Sequence, residues 1–302
     1  MLRRKILRKI YFTTLIVFIL FIISSFTMNK NIANIKVEYP KKLSNIYLLN
    51  DDNYLLEVGV VIKDKLLDNI PIIINSLKQD NKSFNGLRGL IPNNTKINKI
   101  NLNDGILEID FNKELLNVNS NLEEKVVESL VYSLLNFKEI KGIKISIDNE
   151  PLKELPKSNI LLDDILTKDF GINKDYAITS MNDIQKVFLY YYEEKNGEKY
   201  YVPVTKYVNS RDDKIKIIID NLKNNYLSST NLMSYLNEKV YIENYEHQSN
   251  VVTLSFSNVL DFSSDMMKEE VIYTLSNSIL LSEDVSKVIF MQNDHIMTIA
   301  TK

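Results

Sequence analysis

Several residue types that build reactive sites are scarce in this 302-residue chain. It has no cysteine, no tryptophan, seven glycines and two histidines. Without cysteine there can be no disulfide, no thiolate metal site and no thiol to carry a lipid anchor. Seven glycines leave little room for loops that cradle phosphate groups, and two histidines offer few metal ligands or general bases. The composition therefore argues against the usual hydrolase and metal sites.

Positive charge is concentrated at the start of the chain. The formal net charge is −2, and the first nine residues contain five basic side chains and no acidic one, namely Arg3, Arg4, Lys5, Arg8 and Lys9. Without those five charges the rest of the chain carries −7. This balance argues against nucleic acid or an anionic membrane surface as the main partner of the folded part.

Residues 10–28 are almost wholly apolar and follow this basic run directly. A helix of 19 residues spans about 28 Å, close to the hydrocarbon thickness of a bilayer. The basic flank predicts a single membrane span with the N-terminus in the cytoplasm and the C-terminal domains outside. The competing interpretation is a cleaved signal peptide, whose apolar region is usually shorter and ends at a small-x-small site. Residues 24–28 contain no such site, so we expect an uncleaved anchor.

The chain contains an internal repeat at a constant shift of 145 residues. Residues 70–149 align without a gap with residues 215–294, through these matching positions: Ile70/Ile215, Ile72/Ile217, Ile73/Ile218, Ile74/Ile219, Leu77/Leu222, Lys78/Lys223, Ile109/Leu254, Phe111/Phe256, Val126/Val271, Leu130/Leu275, Ile143/Val288 and Ile145/Phe290. Two domains of roughly 100–150 residues also fit the length of the chain. We therefore expect one domain present twice.

Hydrophobic periodicity predicts the same order of elements, β-β-α-β-β-α-β, in both copies. In the first copy the predicted elements are strands 45–49 and 54–62, helix 66–78, strands 95–102 and 106–111, helix 123–135 and strand 143–147. In the second copy they are strands 187–192 and 200–208, helix 212–223, strands 239–246 and 251–257, helix 268–280 and strand 287–292. We expect Pro71 to fall in the first turn of its helix, and Ser120 to form a capping box with Glu123.

These elements predict an α+β protein of two tandem ββαββαβ domains after an N-terminal transmembrane helix. Each domain should pack a mainly antiparallel sheet against its two helices. The expected organisation is a cytoplasmic stub and anchor (1–28), a spacer (29–42), the first domain (43–150), a linker with some short order (151–185) and the second domain (186–302).

Paired carboxylates and the two histidines are the candidates for chemistry, and each has a structural interpretation. The candidates are Glu123–Glu124, Glu269–Glu270, Asp163–Asp164, Asp212–Asp213, His247 and His295. Adjacent side chains on a helix do not face each other, and acidic residues are favoured in a first helical turn. We interpret Asp212–Asp213 as helix N-cap material and both histidines as surface turn residues, His295 following the last strand. We predict no catalytic, cofactor-binding or metal-binding residue and no cofactor.

Seven aromatic residues cluster in the first hairpin of the second copy: Phe188, Tyr190, Tyr191, Tyr192, Tyr200, Tyr201 and Tyr207. Strands favour such residues for packing and cross-strand pairing. Because side chains alternate along a strand, the pattern also predicts an outward row of tyrosines. That row could contact a protein or stack on sugar rings.

Two motifs of the first copy carry a family resemblance. Residues 86–97 read GLRGLIPNNTKI and residues 104–112 read DGILEIDFN, which resembles the signature of the GerMN-domain family. In the second copy, residues 187–191, 201–206 and 213–216 resemble the start of the same domain. Segments 170–174 and 178–181 are similar to the linker of tandem members. The resemblance covers the chain from about residue 43 to its C-terminus.

The resemblance implies a sporulation and germination protein on the mother-cell membrane, facing the space around the forespore. GerMN domains resemble ring-building motifs, which implies a scaffold for protein partners in the mother-cell/forespore channel complex, with homo-oligomers among the expected states. Tandem members are usually held by a lipidated cysteine, so residues 10–28 must replace that anchor or be cleaved. The second copy differs from the first at two turns. It has other residues at 236–239, where the first copy has Pro92, and at 249–250, where the first copy has Asp104-Gly105.

Three functions remain open at this point. The first is a non-enzymatic, membrane-anchored assembly factor, which fits the repeat, the anchor and the resemblance. The second is an extracytoplasmic cell-wall glycan-binding module that uses the outward tyrosines on peptidoglycan. The third is a hydrolase based on the paired carboxylates.

Overall fold

The helices and strands of the chain recur at the 145-residue interval of its sequence repeat. The computed structural model describes residues 42–81, 83–84, 86–223, 230–236, 242–257 and 265–302, without the side chains of 265–268. All of them belong to one compact unit, Lys42–Lys302. The predicted membrane span at residues 10–28 lies outside the described residues. Among the helices described, none has the length and apolarity needed to cross a bilayer.

In the described residues of the first copy there are six strands and two helices. They are β1 Leu43–Leu49, β2 Leu55–Val61, α1 Leu66–Ser76, β3 Ile97–Asn103, β4 Ile106–Phe111, α2 Ser120–Leu134, β5 Gly142–Ile147 and β6 Glu150–Pro151. The 3-10 turn Lys113–Leu116 precedes α2. The connection to the second copy contains a 3-10 turn, Lys168–Phe170, and the short strand β7, Asp175–Ala177.

The second copy repeats this order. Its elements are β8 Ile184–Lys195, β9 Glu198–Asn209, α3 Lys214–Lys223, β10 Ile242–Gln248, β11 Val251–Phe256, α4 Asp265–Ser282, β12 Lys287–Gln292 and β13 His295–Thr301. Strands β10, β11 and β12 begin and end 145 residues after β3, β4 and β5. The α+β class and the duplication are therefore confirmed.

The strands of each copy form two sheets, whereas the sequence predicted one mainly antiparallel sheet. In the first copy, β1 and β2 form an antiparallel hairpin, and a separate four-stranded sheet has the order β3-β4-β5-β6. Its central strands β4 and β5 are parallel because α2 makes a crossover between them. The second copy has the same four-stranded order, β10-β11-β12-β13, while β7, β9 and β8 form its hairpin sheet.

Serine side chains attach the long helices to the free edges of the hairpins. In the first copy, the Ser129 hydroxyl donates to the Tyr47 carbonyl at 2.7 Å and Tyr47 N–H donates to Ser133 at 3.1 Å. In the second copy, Tyr190 N–H donates to Ser278 at 2.9 Å. Backbone groups on a strand edge need partners when they are buried. The helix therefore covers an edge that would otherwise be open.

Three local predictions were wrong. Pro71 is the sixth residue of α1, beyond the first turn, so the helix lacks the hydrogen bond that this residue would normally donate. No side chain caps α2, because Glu123 accepts hydrogen bonds from Lys157 N–H and Ser158 N–H instead of closing a box with Ser120. His295 does not follow the last strand but begins β13.

Candidate interaction surfaces

One asparagine side chain connects the two copies. The Asn173 amide accepts a hydrogen bond from Leu55 N–H (2.9 Å) and donates to the carbonyls of Leu55 (2.9 Å) and Pro203 (2.8 Å). Its own N–H donates to Glu128 at 3.0 Å. The side chain of Asn173 thus provides hydrogen-bond partners for backbone groups of β2 in the first copy and of β9 in the second copy. Its φ of 48° is a left-handed conformation that asparagine tolerates.

A second contact between the copies surrounds Glu57 on β2. The Glu57 carboxylate accepts hydrogen bonds from Tyr273 of α4 at 2.7 Å, from Tyr47 at 3.4 Å and from the Asn45 amide. Burial raises the pKa of Glu57, and the bonds from Tyr273 and Tyr47 together with the charge of Lys168 oppose that rise. Burial also lowers the pKa of Lys168. The junction therefore holds polar groups whose partners come from both copies.

The hairpin tips complete this junction. Asn50 donates to the Glu193 carboxylate at 2.6 Å, and both side chains are buried. Lys195 forms an ion pair with Asp51 at 2.6 Å. Together with Asn173, these contacts fix one hairpin against the other, so the two copies keep a constant relative orientation.

Residues 152–166 lie against the first copy and fold back on themselves, with Glu154 opposite Leu161; we call this segment the arm. The Glu123 carboxylate, itself buried, accepts from Lys157 N–H (3.0 Å), Ser158 N–H (2.7 Å) and the Ser158 hydroxyl (2.9 Å). At its other end, Leu166 exchanges backbone hydrogen bonds of 2.8 and 2.9 Å with Ile143 of β5. The arm thereby closes most of the edge that β5 presents.

A groove of about 780 Å³ separates the arm from the outer face of the first four-stranded sheet. Its walls include Lys99, Glu108 and Lys144 from the sheet and Leu152, Leu161 and Asp164 from the arm. Lys144 and Asp164 form an ion pair at 2.7 Å across it. The size suits a small ligand or a peptide segment, although Lys144 and Asp164 of its lining already pair with each other.

In the second copy the β12–β13 side of the same face is apolar. Ile289 and Met291 of β12 lie opposite Ile299 and Ile296 of β13, on the face away from the buried Phe290. We call these four residues the apolar patch. Ile296 is 59% exposed and Ile299 is 46% exposed. In the first copy the positions equivalent to Ile289 and Met291 carry Lys144 and Ser146, so the two copies present surfaces of different chemistry.

Comparisons with known proteins agree with this architecture. The Germane family model, described as sporulation and spore germination, matches residues 45–153. The spore germination protein GerM of Bacillus subtilis (strain 168) is 30% identical over 201 residues, which is 66% of this chain and 55% of the relative. The chain belongs to the GerMN-domain family. The match spans about half the length of that relative.

A solved structure shows the same tandem fold. The tandem GerMN domains of the sporulation protein GerM from Bacillus subtilis superpose with a TM-score of 0.73 at 23% identity, covering 84% of this chain and 91% of that one. At this identity the likeness concerns the fold. It confirms that the fold of tandem GerMN domains is present in this chain.

The paired carboxylates of this GerMN protein have separate partners. Glu123 binds the arm, whereas Glu124 pairs with Lys174 at 2.6 Å. Glu270 pairs with Lys199 at 3.2 Å and Glu269 is exposed. Asp164 pairs with Lys144 and its neighbour Asp163 is exposed. The structure therefore brings none of these adjacent pairs together on a common partner.

The two histidines and the aspartates before α3 occupy surface positions. His247 lies 3.2 Å from the Ser249 carbonyl in a turn, and His295 is exposed. Asp213 accepts from Lys216 N–H at 3.0 Å, which confirms the predicted N-cap. Within the described part of the chain, no group of three or more His, Cys, Asp or Glu side chains is placed to hold a metal ion.

The predicted outward row of tyrosines is wrong. All seven aromatic residues of the β8–β9 cluster are buried or half-buried, because both faces of this hairpin are covered. Tyr201 stacks on Tyr273 of α4 with ring centroids 4.2 Å apart, and Tyr192 stacks on Tyr235 at 3.9 Å. The exposed tyrosine of this region is Tyr176 on β7, 61% exposed and stacked on Tyr207.

Sequence reasoning missed the residues that define these surfaces. Asn173, Leu161 and Ile299 were not singled out. Asn173 lies in the connection between the copies, and Leu161 and Ile299 are single apolar residues with no distinctive sequence pattern around them. A signal was available for the apolar patch. Aligning the copies by 145 residues shows isoleucine and methionine where the first copy has lysine and serine.

Proposed function

We propose that this chain is a membrane-anchored, non-enzymatic assembly factor of sporulation or germination. Its two GerMN copies act as one rigid block that scaffolds the channel complex between mother cell and forespore. The observation that carries the proposal is the set of hydrogen bonds made by Asn173, which holds the two copies in a fixed orientation although their surfaces differ in chemistry. A scaffold needs such fixed surfaces, whereas an enzyme needs a reactive cleft.

We also propose that residues 10–28 anchor the protein, with its N-terminus in the cytoplasm and its GerMN copies outside. Support comes from the five basic residues before the apolar run and from its length. Because the chain has no cysteine, a single Leu67→Cys substitution at an exposed position of α1 provides a specific label site. An impermeant maleimide should label this variant in intact cells. Labelling that requires cell lysis would contradict the topology.

Co-purification from sporulating cells tests the assembly role. The tagged full chain should recover proteins of the channel complex, and a deletion strain should form fewer spores. The Asn173→Gly variant should recover less of the complex at equal protein level, with Asn117→Gly, at an exposed position, as the matched control. Recovery of no channel protein together with normal spore formation would contradict the proposal.

A glycan-binding role is the second candidate, and the exposed Tyr176 favours it. Its ring lies 4.9 Å from Tyr207 with an interplanar angle of 13°, so a flat aromatic surface faces solvent. Purified peptidoglycan should then retain the wild-type chain and lose the Tyr176→Ala variant. If both proteins stay in solution, the glycan-binding role is excluded and the assembly role is favoured.

A further inference from the structure

The apolar patch on the second sheet has the properties of a docking surface. Ile296 and Ile299 are exposed side by side with the partly buried Ile289 and Met291. Contiguous exposed apolar surface on a soluble face commonly marks an interaction site. The equivalent face of the first copy is charged, so the patch is a property of this copy and does not follow from the fold.

The arm carries exposed apolar side chains along the rim of its groove. Leu161 is 77% exposed and Ile165 is 38% exposed, and Asp163 between them is also exposed. The intervening Leu162 and the following Leu166 are buried against the first copy. The exposed residues of this stretch are therefore apolar at both ends and acidic at 163 and 164, in a segment that is already held in place by Glu123 and Ile143.

Charge complements this apolar match. Lys287 begins β12 beside the patch and lies opposite Thr301. Within the described residues it forms no ion pair, and Asp163 forms none either. The acidic residue of the arm and the lysine at the end of the patch therefore have opposite charges available for a contact between molecules.

We propose that the arm of one molecule docks on the apolar patch of a second molecule of this chain. Leu161 and Ile165 would cover Ile296 and Ile299, and Asp163 would face Lys287. In the first copy the same arm already lies against this kind of sheet, since Leu166 forms a bridge with Ile143 of β5. The contact is heterologous, joining different surfaces, so it can repeat from molecule to molecule.

Cysteine cross-linking tests this contact in the full chain. Because the natural sequence has no cysteine, Leu161→Cys and Ile299→Cys are placed in two separately tagged chains that are then mixed and oxidised. The mixture should yield a disulfide-linked heterodimer at least tenfold above the yield of Leu161→Cys mixed with Leu67→Cys. Leu67 is the control because it is an exposed leucine, 46% accessible, on α1 of the first copy.

Each other outcome would overturn the proposal. Ile299→Cys cross-linking with itself would indicate that two patches face each other, and Leu161→Cys cross-linking with itself would indicate contact between two arms. Absence of all cross-links would exclude self-association through these surfaces. Vesicle binding that disappears in Ile299→Asp, without any cross-link, would assign the patch to lipid.

A charge substitution provides an independent measurement. Ile299→Asp should lower the sedimenting fraction of oligomer at least tenfold, whereas Leu67→Asp should leave it unchanged, and both proteins should keep the thermal unfolding temperature of the wild type. This inference extends the assembly role proposed above, but it is measured on the chain alone. Failure to recover channel proteins would therefore leave the cross-linking result interpretable. Absence of cross-links would likewise leave the co-purification result interpretable.

Discussion

Asp213 shows how one side chain can serve two elements at once. It caps α3 through Lys216 N–H and also accepts a hydrogen bond from the Tyr245 hydroxyl of β10. That hydrogen bond, together with burial, raises the pKa of Tyr245 to about 12. Burial alone would raise the pKa of Asp213, but the hydrogen bonds from Tyr245 and from the helix N-terminus outweigh it, so its pKa is lowered.

Replacing Asp213 by alanine should therefore destabilise the protein. Loss of an N-cap costs about 1 kcal/mol. Since the folded-state pKa is lowered, the contribution of Asp213 is present above its unfolded pKa and is lost as pH falls through the folded value. Urea unfolding at pH 7 and at pH 3 measures the difference between Asp213→Ala and wild type. Asp212→Ala, which removes an exposed carboxylate, is the control and should have the smaller effect.

Glu57 has the opposite pH dependence. Its pKa is raised by burial, so the folded state favours the protonated form. The stability it contributes is fully present below its unfolded pKa, near 4.3, and is lost as pH rises through the folded value. Glu57→Gln imitates the neutral carboxyl group and should unfold at higher urea than wild type at pH 7.

This advantage of Glu57→Gln should shrink as pH falls through the raised folded pKa of Glu57 and should be gone below about 4, where the wild-type carboxyl is protonated in the folded and the unfolded protein. Glu128, whose pKa is also raised by burial, is present in both proteins and cancels in the comparison. An advantage that stays constant from pH 3 to pH 8 would show that the pKa of Glu57 is not shifted by folding. A variant less stable than wild type at pH 7 would show that the carboxylate is needed at the junction.

Residue-level interpretation of the sequence was accurate where the partner was local. The N-cap role of Asp213 needed only its position before an apolar helix pattern. The capping box of Glu123 was wrong because Lys157 and Ser158, 34 and 35 residues away, offer it hydrogen-bond donors. A local sequence pattern cannot show that donors so far along the chain will bind Glu123 in place of the helix N-terminus.

At the scale of elements, α1 carries an unusual interior proline. Pro71 is exposed and removes one helical hydrogen bond. An interior proline destabilises a helix by about 3 kcal/mol relative to alanine. Proline also restricts the unfolded chain, which stabilises the folded protein by up to about 1 kcal/mol, and Pro71→Ala would lose that smaller contribution.

Pro71→Ala should thus raise the free energy of unfolding by about 2 kcal/mol, as measured by urea titration. Asn75→Ala is the control, because it changes an exposed position of the same helix by propensity alone, which is worth less than about 0.7 kcal/mol. Equal or lower stability of Pro71→Ala would mean that the ring makes contacts that compensate for the missing bond.

Most elements were predictable because their periodicity is strong and the repeat provides each pattern twice. Strands β4 and β12 agree with the predicted ranges 106–111 and 287–292. The β8–β9 hairpin is longer than predicted, although Asn196-Gly197 at its turn, with φ of 54° and 80°, is a strong hairpin signal. Strand β13 was missed because it follows a tight turn at Asn293-Asp294 that alternation alone does not reveal.

At the scale of the whole molecule, the connection between the copies determines how they behave. Asn173 supplies hydrogen-bond partners to the backbone of Leu55 and Pro203, and it is buried. Sequence alone did not predict this, because a polar residue in a connection has no periodic pattern. The apolar patch was equally hidden, since its four residues come from two strands and only the register brings them together.

Asn173→Gly should destabilise the protein by about 3 kcal/mol or more, because two buried backbone groups of Leu55 lose their partners. Glycine accepts the positive φ, so backbone strain does not contribute. Thermal unfolding should change from one transition to two as the copies separate. Asn117→Gly should keep one transition. A single transition at an unchanged temperature in Asn173→Gly would show that the other junction contacts suffice.

The Glu123–Ser158 and Ile143–Leu166 contacts bear on where this protein can be cut. The family model ends at residue 153, but Glu123 and the β5 edge receive their partners from residues 157–166. A recombinant fragment that stops at 153 would leave a buried carboxylate without donors and a sheet margin open to aggregation. Expression of the N-terminal half should therefore include the chain through residue 166.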